Sequence, residues 1–367
     1  MNVPPRIAYC GPIARPGEPA RGGYESANRR LIDDLRGHGL AVIEYPYAPE
    51  RLTPAGKALA YASNFAGTAA RVLAEAGRFD ILHITPLRRH FILPEAVICM
   101  NAKARGRKIV VDIRAGCFMR EMSRPGAMRA RAEAQLLRRA DLVTVEGLEY
   151  VEFAGRFTDA PVHYLPNYVS QGPGGLEPGA PVGPVRLVFL ARIVPEKGIE
   201  TAIEAVRSLV ATGHDATLDV LGGASPDYAR RLDALADGLP VTFRGAIKAE
   251  DVRRTIRGAH FFIFPTRHDG EGHSNALTEA MAEGLVPLCA DNGFNRSIVA
   301  QCGRIFEKQD GGEAYAQAVR EIVASGEWSD LSRRAAMRIA QNYTAETVVP
   351  GLIERYRDLM EGARKAA

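Results

Sequence analysis

Residues 189–206 read FLARIVPEKGIETAIEAV. An apolar run closes at Ala191, Arg192 and a proline-containing turn follow, and Lys197-Gly198 opens a helical pattern over 199–211. Strand, turn and helix in that order form the repeating unit of a parallel sheet. The same alternation continues downstream, with strands expected at 187–190, 218–221, 241–243, 261–264 and 286–289 and helices at 227–236, 251–257 and 275–283. A helical tail runs from about residue 328. Upstream, residues 170–184 read SQGPGGLEPGAPVGP, too rich in Gly and Pro for a helix or a central strand, and so a linker. Before it the alternation is already present. Strands are expected at 6–10, 41–45, 81–84, 108–113, 142–145 and 162–165, with helices at 25–36, 59–76 and 129–139. Short, β-branched, apolar strands are those of a sheet covered on both faces. The expected architecture is α/β: two Rossmann-like domains whose sheets face a common cleft at their strand carboxyl ends, where such folds bind ligands. The predicted divisions are 1–169, the linker 170–184, 185–345, and a helical tail 346–367 that packs back on the first domain.

Length agrees with two domains, since 367 residues exceed the roughly 250–300 at which a single core stops growing. No apolar run approaches the ~18 residues of a spanning helix, and the start MNVPPRIAYCG lacks the pattern of a secretory signal. The five cysteines are scattered without a CxxC pair, the pattern of reduced thiols in a cytoplasmic protein rather than of disulfides or zinc. A net charge of +4 conceals an asymmetry: residues 1–170 hold 24 Lys/Arg against 17 Asp/Glu, and 88–139 alone hold 13 against 4. That segment is either a solvated face or one that meets an anionic partner, such as a phosphorylated acceptor or an acidic membrane surface at the inner face of the membrane. Nucleic acid fits less well, because no aromatic residues are interleaved with the cations.

Two stretches carry chemistry. In the opening stretch, Arg192 and Lys197 stand five residues apart at a strand's carboxyl end, a fork and a point charge suited to a diphosphate. In HDGEGHSNALTEAMAEG, residues 268–284, a polar glycine-containing loop leads from an apolar strand into a helix near Ser274 or Asn275. Free N–H groups at that helix start, with the macrodipole, make an anion site. Glu271 in the loop can accept hydrogen bonds from sugar hydroxyls, and Glu279 on the helix can reach a ribose diol. Either glutamate alone is ordinarily a solvated residue or a helix-dipole partner.

Together, RIVPEKG, the Glu271-x7-Glu279 pair, VTFRGAIKAEDVRRTIRGAHFFIFPT, the early RGGYESANRRLIDDL and LPNYV at 165–169 resemble glycosyltransferase family 4. The resemblance covers nearly the whole chain and is more specific in the second half. It implies a GT-B fold, a nucleoside-diphosphate sugar donor, a carbohydrate or lipid-linked acceptor in polysaccharide or glycolipid assembly, and retention of anomeric configuration. By position it implies that Arg192 and Lys197 hold the diphosphate, Glu271 the donor sugar and Glu279 the ribose, with Gly272, His273, Ser274, Asn275 and Ala276 lining sugar and phosphates. Gly22 and Gly23 match the family's glycine pair near donor phosphate or acceptor. The chain departs from the pattern at Arg114, where many members carry His, and at Ser274 and Asn275, where smaller or apolar residues are usual.

Breaking a glycosyl–phosphate bond leaves charge on the diphosphate, and stabilising it is the main electrostatic task. No Asp-x-Asp motif is present to hold a divalent ion; Asp269-Gly-Glu271 is the nearest mimic. Neither a metal nor a cofactor is expected, because Arg192, Lys197 and the helix start can supply the positive charge. The leaving phosphate oxygen is the implied acceptor of the proton, with His83 and His273 as alternative polar participants. Other classes fit less well. A nucleophile elbow at Gly272-His273-Ser274-Asn275-Ala276 fails because about nine residues separate Pro265 from Ser274 and no His follows His273. Gly-x-Gly-x-x-Gly and P-loop motifs are absent. A GT-B-shaped epimerase or phosphorylase, or a silent nucleotide-sugar-binding partner, remains as an alternative.

Overall fold

A computed structural model describes residues 4–17, 22–47, 54–88, 91–124, 128–173 and 183–366. Most of the expected linker, 174–182, lies outside them, as do Arg21 and Arg89. In chain order the first elements are β1 (Ile7–Gly11), α1 (Gly23–Gly37), β2 (Val42–Pro46), α2 (Pro54–Ala74), β3 (Ile81–Ile84), α3 (Ile92–Ala104), β4 (Lys108–Ile113), α4 (Phe118–Met122), α5 (Met128–Arg139), β5 (Leu142–Val145), α6 (Glu149–Gly155) and β6 (Val162–Tyr164). Then follow β7 (Val185–Leu190), α7 (Ile199–Ala211), β8 (Ala216–Leu221), α8 (Pro226–Leu235), β9 (Val241–Gly245), α9 (Ala249–Ile256), β10 (Phe261–Phe264), α10 (Asn275–Ala282), β11 (Val286–Ala290), α11 (Asn295–Val299), β12 (Arg304–Phe306), α12 (Gly312–Ser325), α13 (Trp328–Asn342) and α14 (Ala345–Ala366).

The chain divides into two compact units. Unit 1 comprises Met1–Pro166 and Val348–Ala367, and unit 2 comprises Asn167–Thr347. Each is a Rossmann-like layer of parallel strands with flanking helices.

Unit 1 has strand order β2-β1-β3-β4-β5-β6. Its central strands IAYCG, ILHI and LVTV are buried along their whole length, as a sheet covered on both faces requires. Right-handed crossovers put α1 on one face of this sheet and α2, α3 and α5 on the other. On the second face α2 packs against α3, and α3 against α5. On the first, Asn28 of α1 and Tyr356 of α14 reach the polar side chains of the strands.

Unit 2 has strand order β12-β11-β10-β7-β8-β9. Strand β7 begins the unit and lies at the centre, with β10 beside it in register through Phe261↔Leu187 and Phe262↔Val188. The order reverses between these two strands, which makes their carboxyl ends the topological switch point. Helix α7 buries Ile199, Ala202, Ile203, Val206 and Leu209, the spacing of one helical face, into the core of the unit. Gly312 opens α12 against α7 where a Cβ would stand 2.5 Å from Ala205 N. Trp328 closes the core by donating its indole N–H to the His260 carbonyl at 2.9 Å. The elements not anticipated are the edge strand β12, helix α3 within the apolar run FILPEAVICM, and helices α4, α6, α11 and α12.

Candidate functional site

The functional groups of unit 2 collect where β7 and β10 end. After β7 the chain leaves Arg192 exposed and turns through Pro195–Lys197, a single 3₁₀ turn ended by Gly198 in the left-handed region at φ 81°. A Cβ at Gly198 would lie 2.1 Å from the Pro265 carbonyl oxygen, so the loop after β10 presses directly on the start of α7. Arg267 N–H donates to the Glu196 carbonyl at 2.7 Å, a second tie between the two loops.

That approach delivers Lys197 to Glu271. The ammonium stands 2.6 Å from Glu271 Oε2, which also accepts from Thr266 Oγ1 at 2.7 Å. The carboxylate is buried and held from two sides, while Lys197 lies over the Phe264 ring at 5.6 Å. The loop carrying Glu271 is itself fixed. Its N–H donates to the His268 carbonyl at 3.0 Å, and Asn292 Nδ2 donates to the same carbonyl at 2.9 Å. At Gly293, φ 57°, a Cβ would stand 2.4 Å from the Glu271 carbonyl oxygen.

Arg192 has no ion pair among the described residues. It is nevertheless in the same field. Burial first, and then Lys197, lower the His268 imidazole below its usual range, with Arg192 acting in the same direction and Glu271 opposing. Glu196 of the same turn opposes them as well, so two cations and two carboxylates act on this imidazole.

Helix α10 begins directly beyond. Ser274 is its N-cap, its hydroxyl accepting from Leu277 N–H at 3.3 Å. Asn275 and Ala276 in its first turn are half-buried, as is Gly272 before it. His273 is buried, with Nε2 3.1 Å from Thr278 Oγ1 and its ring edge-on to Tyr343. Its carbonyl accepts from Asn167 Nδ2 at 2.6 Å. Glu279 is buried on the second turn of α10.

The remaining predicted residues belong to unit 1. Gly22 is the N-cap of α1 and Gly23 its first residue; both are exposed, and a Cβ at Gly22 would meet nothing. His83 and Arg114 are almost fully buried, in one polar cluster centred on Asp112. Arg114 Nε donates to Asp112 Oδ2 at 2.6 Å, Thr144 Oγ1 donates to Asp112 Oδ1 at 2.8 Å, and His83 Nε2 lies 3.4 Å from Oδ2. On its other side His83 Nδ1 meets the Tyr356 hydroxyl at 2.6 Å, and its ring stacks on Tyr9 at 4.6 Å. Arg114 and His83 together hold the Asp112 carboxyl far below its ordinary range against its burial.

Sequence reasoning missed Thr266, Asn167, Asn292 and the Gly198–Pro265 approach. Only Asn167 left a signal, as the Pro-Asn step of LPNYV. The others act through backbone and hydroxyl contacts that depend on which strands adjoin.

Residues 184–325, which contain Arg192, Lys197, Glu271 and Glu279, match the family model described as Glycosyl transferases group 1. A GDP-mannose-dependent alpha-(1-6)-phosphatidylinositol dimannoside mannosyltransferase of Mycobacterium tuberculosis is 30% identical over 171 residues, 46% of this chain and 43% of that protein. The second half of the chain is thus similar to glycosyltransferases of this group. The match therefore takes in less than half the length of that relative. Over nearly its full extent the chain is similar to solved structures. Sucrose-phosphate synthase from Thermosynechococcus elongatus superposes with a TM-score of 0.75 at 19% identity, over 97% of this chain and 100% of that one. HepE of Anabaena, in complex with UDP, superposes at 0.71 with 15% identity, over 96% and 100%. At such identities the likeness speaks for the fold alone, and that fold is GT-B.

Proposed function

We propose that this protein is a glycosyltransferase that moves a sugar from a nucleoside-diphosphate sugar to a carbohydrate or lipid-linked acceptor, with retention of anomeric configuration. The observation that carries the reading is the constellation at the β7–β10 switch point: Arg192 exposed and without an ion pair among the described residues, Lys197 fixed on Glu271, and the start of α10 beyond them. Arg192, Lys197 and the first-turn N–H groups of α10 receive the diphosphate. Glu271 accepts from hydroxyls of the donor sugar and Glu279 from the ribose. Gly272, His273, Ser274, Asn275 and Ala276 line the pocket.

As the glycosyl bond breaks, negative charge grows on the departing diphosphate. Fixed cations already in position stabilise that charge without reorganising. Glu271, the carboxylate best situated to hold a divalent ion, is engaged by Lys197 and Thr266, which supports transfer without a metal. Unit 1 supplies the acceptor side, with Gly22 and Gly23 at the start of α1, and meets an anionic membrane surface at the inner face of the membrane.

The test is turnover: the purified chain is incubated with single nucleoside-diphosphate sugars and a panel of glycan and lipid-linked acceptors, with and without chelator. Acceptor-dependent release of nucleoside diphosphate, unaffected by chelator, with product of the donor's anomeric configuration by NMR is the expected result. Interconversion of the nucleotide-sugar without an acceptor would assign an epimerase instead. Binding without any turnover would assign a silent partner.

A further inference from the structure

The second face of unit 1 is unlike the rest of the surface. Helix α3 exposes Leu93, Val97 and Met100 at i, i+4 and i+7, Leu93 to 69%. Its neighbour α2 exposes Leu59 to 74%, and α5 on the other side exposes Met128 to 82%. These five account for most of the large exposed apolar side chains among the described residues.

The charges on the same helices are sorted. Helix α2 contains no acidic residue, α3 contains only Glu95, and α5 contains only Glu133. Both acids point inward. Glu95 accepts the N–H groups of Leu87 at 2.5 Å and Arg88 at 3.2 Å, and Glu133 binds the buried Arg88 guanidinium. Helix α5 meanwhile exposes Arg129, Arg131, Arg138 and Arg139. The two carboxylates of these helices are consumed beneath the face, and Asp141 pairs with Lys103 of α3, which leaves the α5 arginines and the aliphatic side chains outside.

We infer that the α2–α3–α5 face of unit 1 docks on an anionic lipid bilayer, its arginines at the headgroup level and Leu93, Val97, Met100 and Met128 in the acyl boundary. Aliphatic side chains beside cations suit an interface that is charged at its surface and apolar just below. A nucleic acid would leave those side chains without an apolar partner, and no aromatic side chain of unit 1 is exposed among the described residues. A symmetric pairing of two copies would set arginine against arginine. No helix among the described residues is long and apolar enough to cross a membrane, so attachment here is peripheral. The inference makes the membrane contact of the proposed function specific, but does not depend on the donor site.

Flotation of the full chain with vesicles tests it, with no donor present. Binding to vesicles of phosphatidylcholine and phosphatidylglycerol in equal parts at low salt, lost at high salt and absent from phosphatidylcholine alone, is expected. With each basic residue worth about fivefold in partitioning, R131Q/R138Q lowers it roughly 25-fold. L93E/V97E/M100E abolishes it. Each variant is first required to keep the wild-type melting temperature and nucleotide-sugar binding; should the triple variant misfold, M128E alone takes its place with a partial loss. No flotation of the wild type at low salt overturns the inference. So does flotation that ignores the apolar substitutions, and so does a dimer in sedimentation that those substitutions dissolve while vesicle binding stays unchanged. An RNA oligonucleotide bound more tightly than the vesicles overturns it in favour of nucleic acid. Since transfer is measured on soluble acceptor analogues, either failure is separable from the other.

Discussion

Gly198 and Pro265 meet at a distance that requires glycine at 198: a Cβ there would lie 2.1 Å from the Pro265 carbonyl oxygen. This approach sets how far the loop after β7 stands from the loop after β10, and with it the span from Lys197 to Glu271. Gly198→Ala meets both the clash and a left-handed φ of 81°, which costs about 1–3 kcal/mol in strain alone. The variant is expected to lose that much stability in urea unfolding and, because the loops separate, to lose most of its turnover.

Arg192→Ala separates charge from structure. The side chain is exposed and makes no ion pair among the described residues, so stability stays within about 0.5 kcal/mol of wild type. Turnover falls by about 10²–10³, as for removal of one fixed transition-state donor. An unchanged rate with an unchanged melting curve would remove Arg192 from the reaction.

Lys197→Ala behaves differently, because it also strips the buried Glu271 carboxylate of its cation while the Thr266 hydroxyl still donates to it. We expect the same loss of rate together with about 1–3 kcal/mol of stability, the cost of an undercompensated buried group. In K197A/E271Q the buried charge is gone, so stability recovers while turnover does not. Paired urea titrations and rate measurements on the three variants decide it.

Tyr356→Phe removes a hydroxyl 2.6 Å from His83 Nδ1 inside unit 1. The buried ring nitrogen loses its partner at a cost of about 1–3 kcal/mol. A double-mutant cycle with His83→Phe is expected to show coupling of more than about 0.5 kcal/mol, as for residues in one buried network. Additive losses would mean that the contact contributes nothing of its own.

Stability also depends on His260. Burial first, then Arg186, lowers its imidazole from 6.5 to about 4. Between those values the unfolded chain binds a proton that the folded chain does not, so this contribution is complete above about 6.5 and is lost as pH falls toward about 4. The urea midpoint is expected to decline across that window, and His260→Phe to decline less steeply. Equal slopes would contradict the assignment.

The strands were legible because each is a short apolar run with turn residues on both sides; 81–84, 108–113, 142–145 and 261–264 form as expected. Helix α3 was not, and the cause is visible. Its inner face buries Ile92, Ile98 and Cys99 while its outer face carries Leu93, Val97 and Met100, so the polar side of the usual 3.6-residue rhythm is missing. Strand β12 escaped because it is three residues long, sits at a sheet edge and starts with Arg304. At the site, Lys197 and Glu271 each stood out from their local phrase, but their pairing follows from β7 and β10 being neighbours, which no local pattern records. His83 and Arg114 sit at strand ends where a sequence suggests access to solvent; Asp112, two residues before Arg114, compensates their burial.

The return of the final helix to unit 1 has a consequence for biosynthesis. His83 leaves the ribosome early, yet its partner Tyr356 is made 273 residues later. Until that hydroxyl arrives, one side of the first sheet holds polar groups awaiting a lid. The half of the molecule translated first is thus the half completed last.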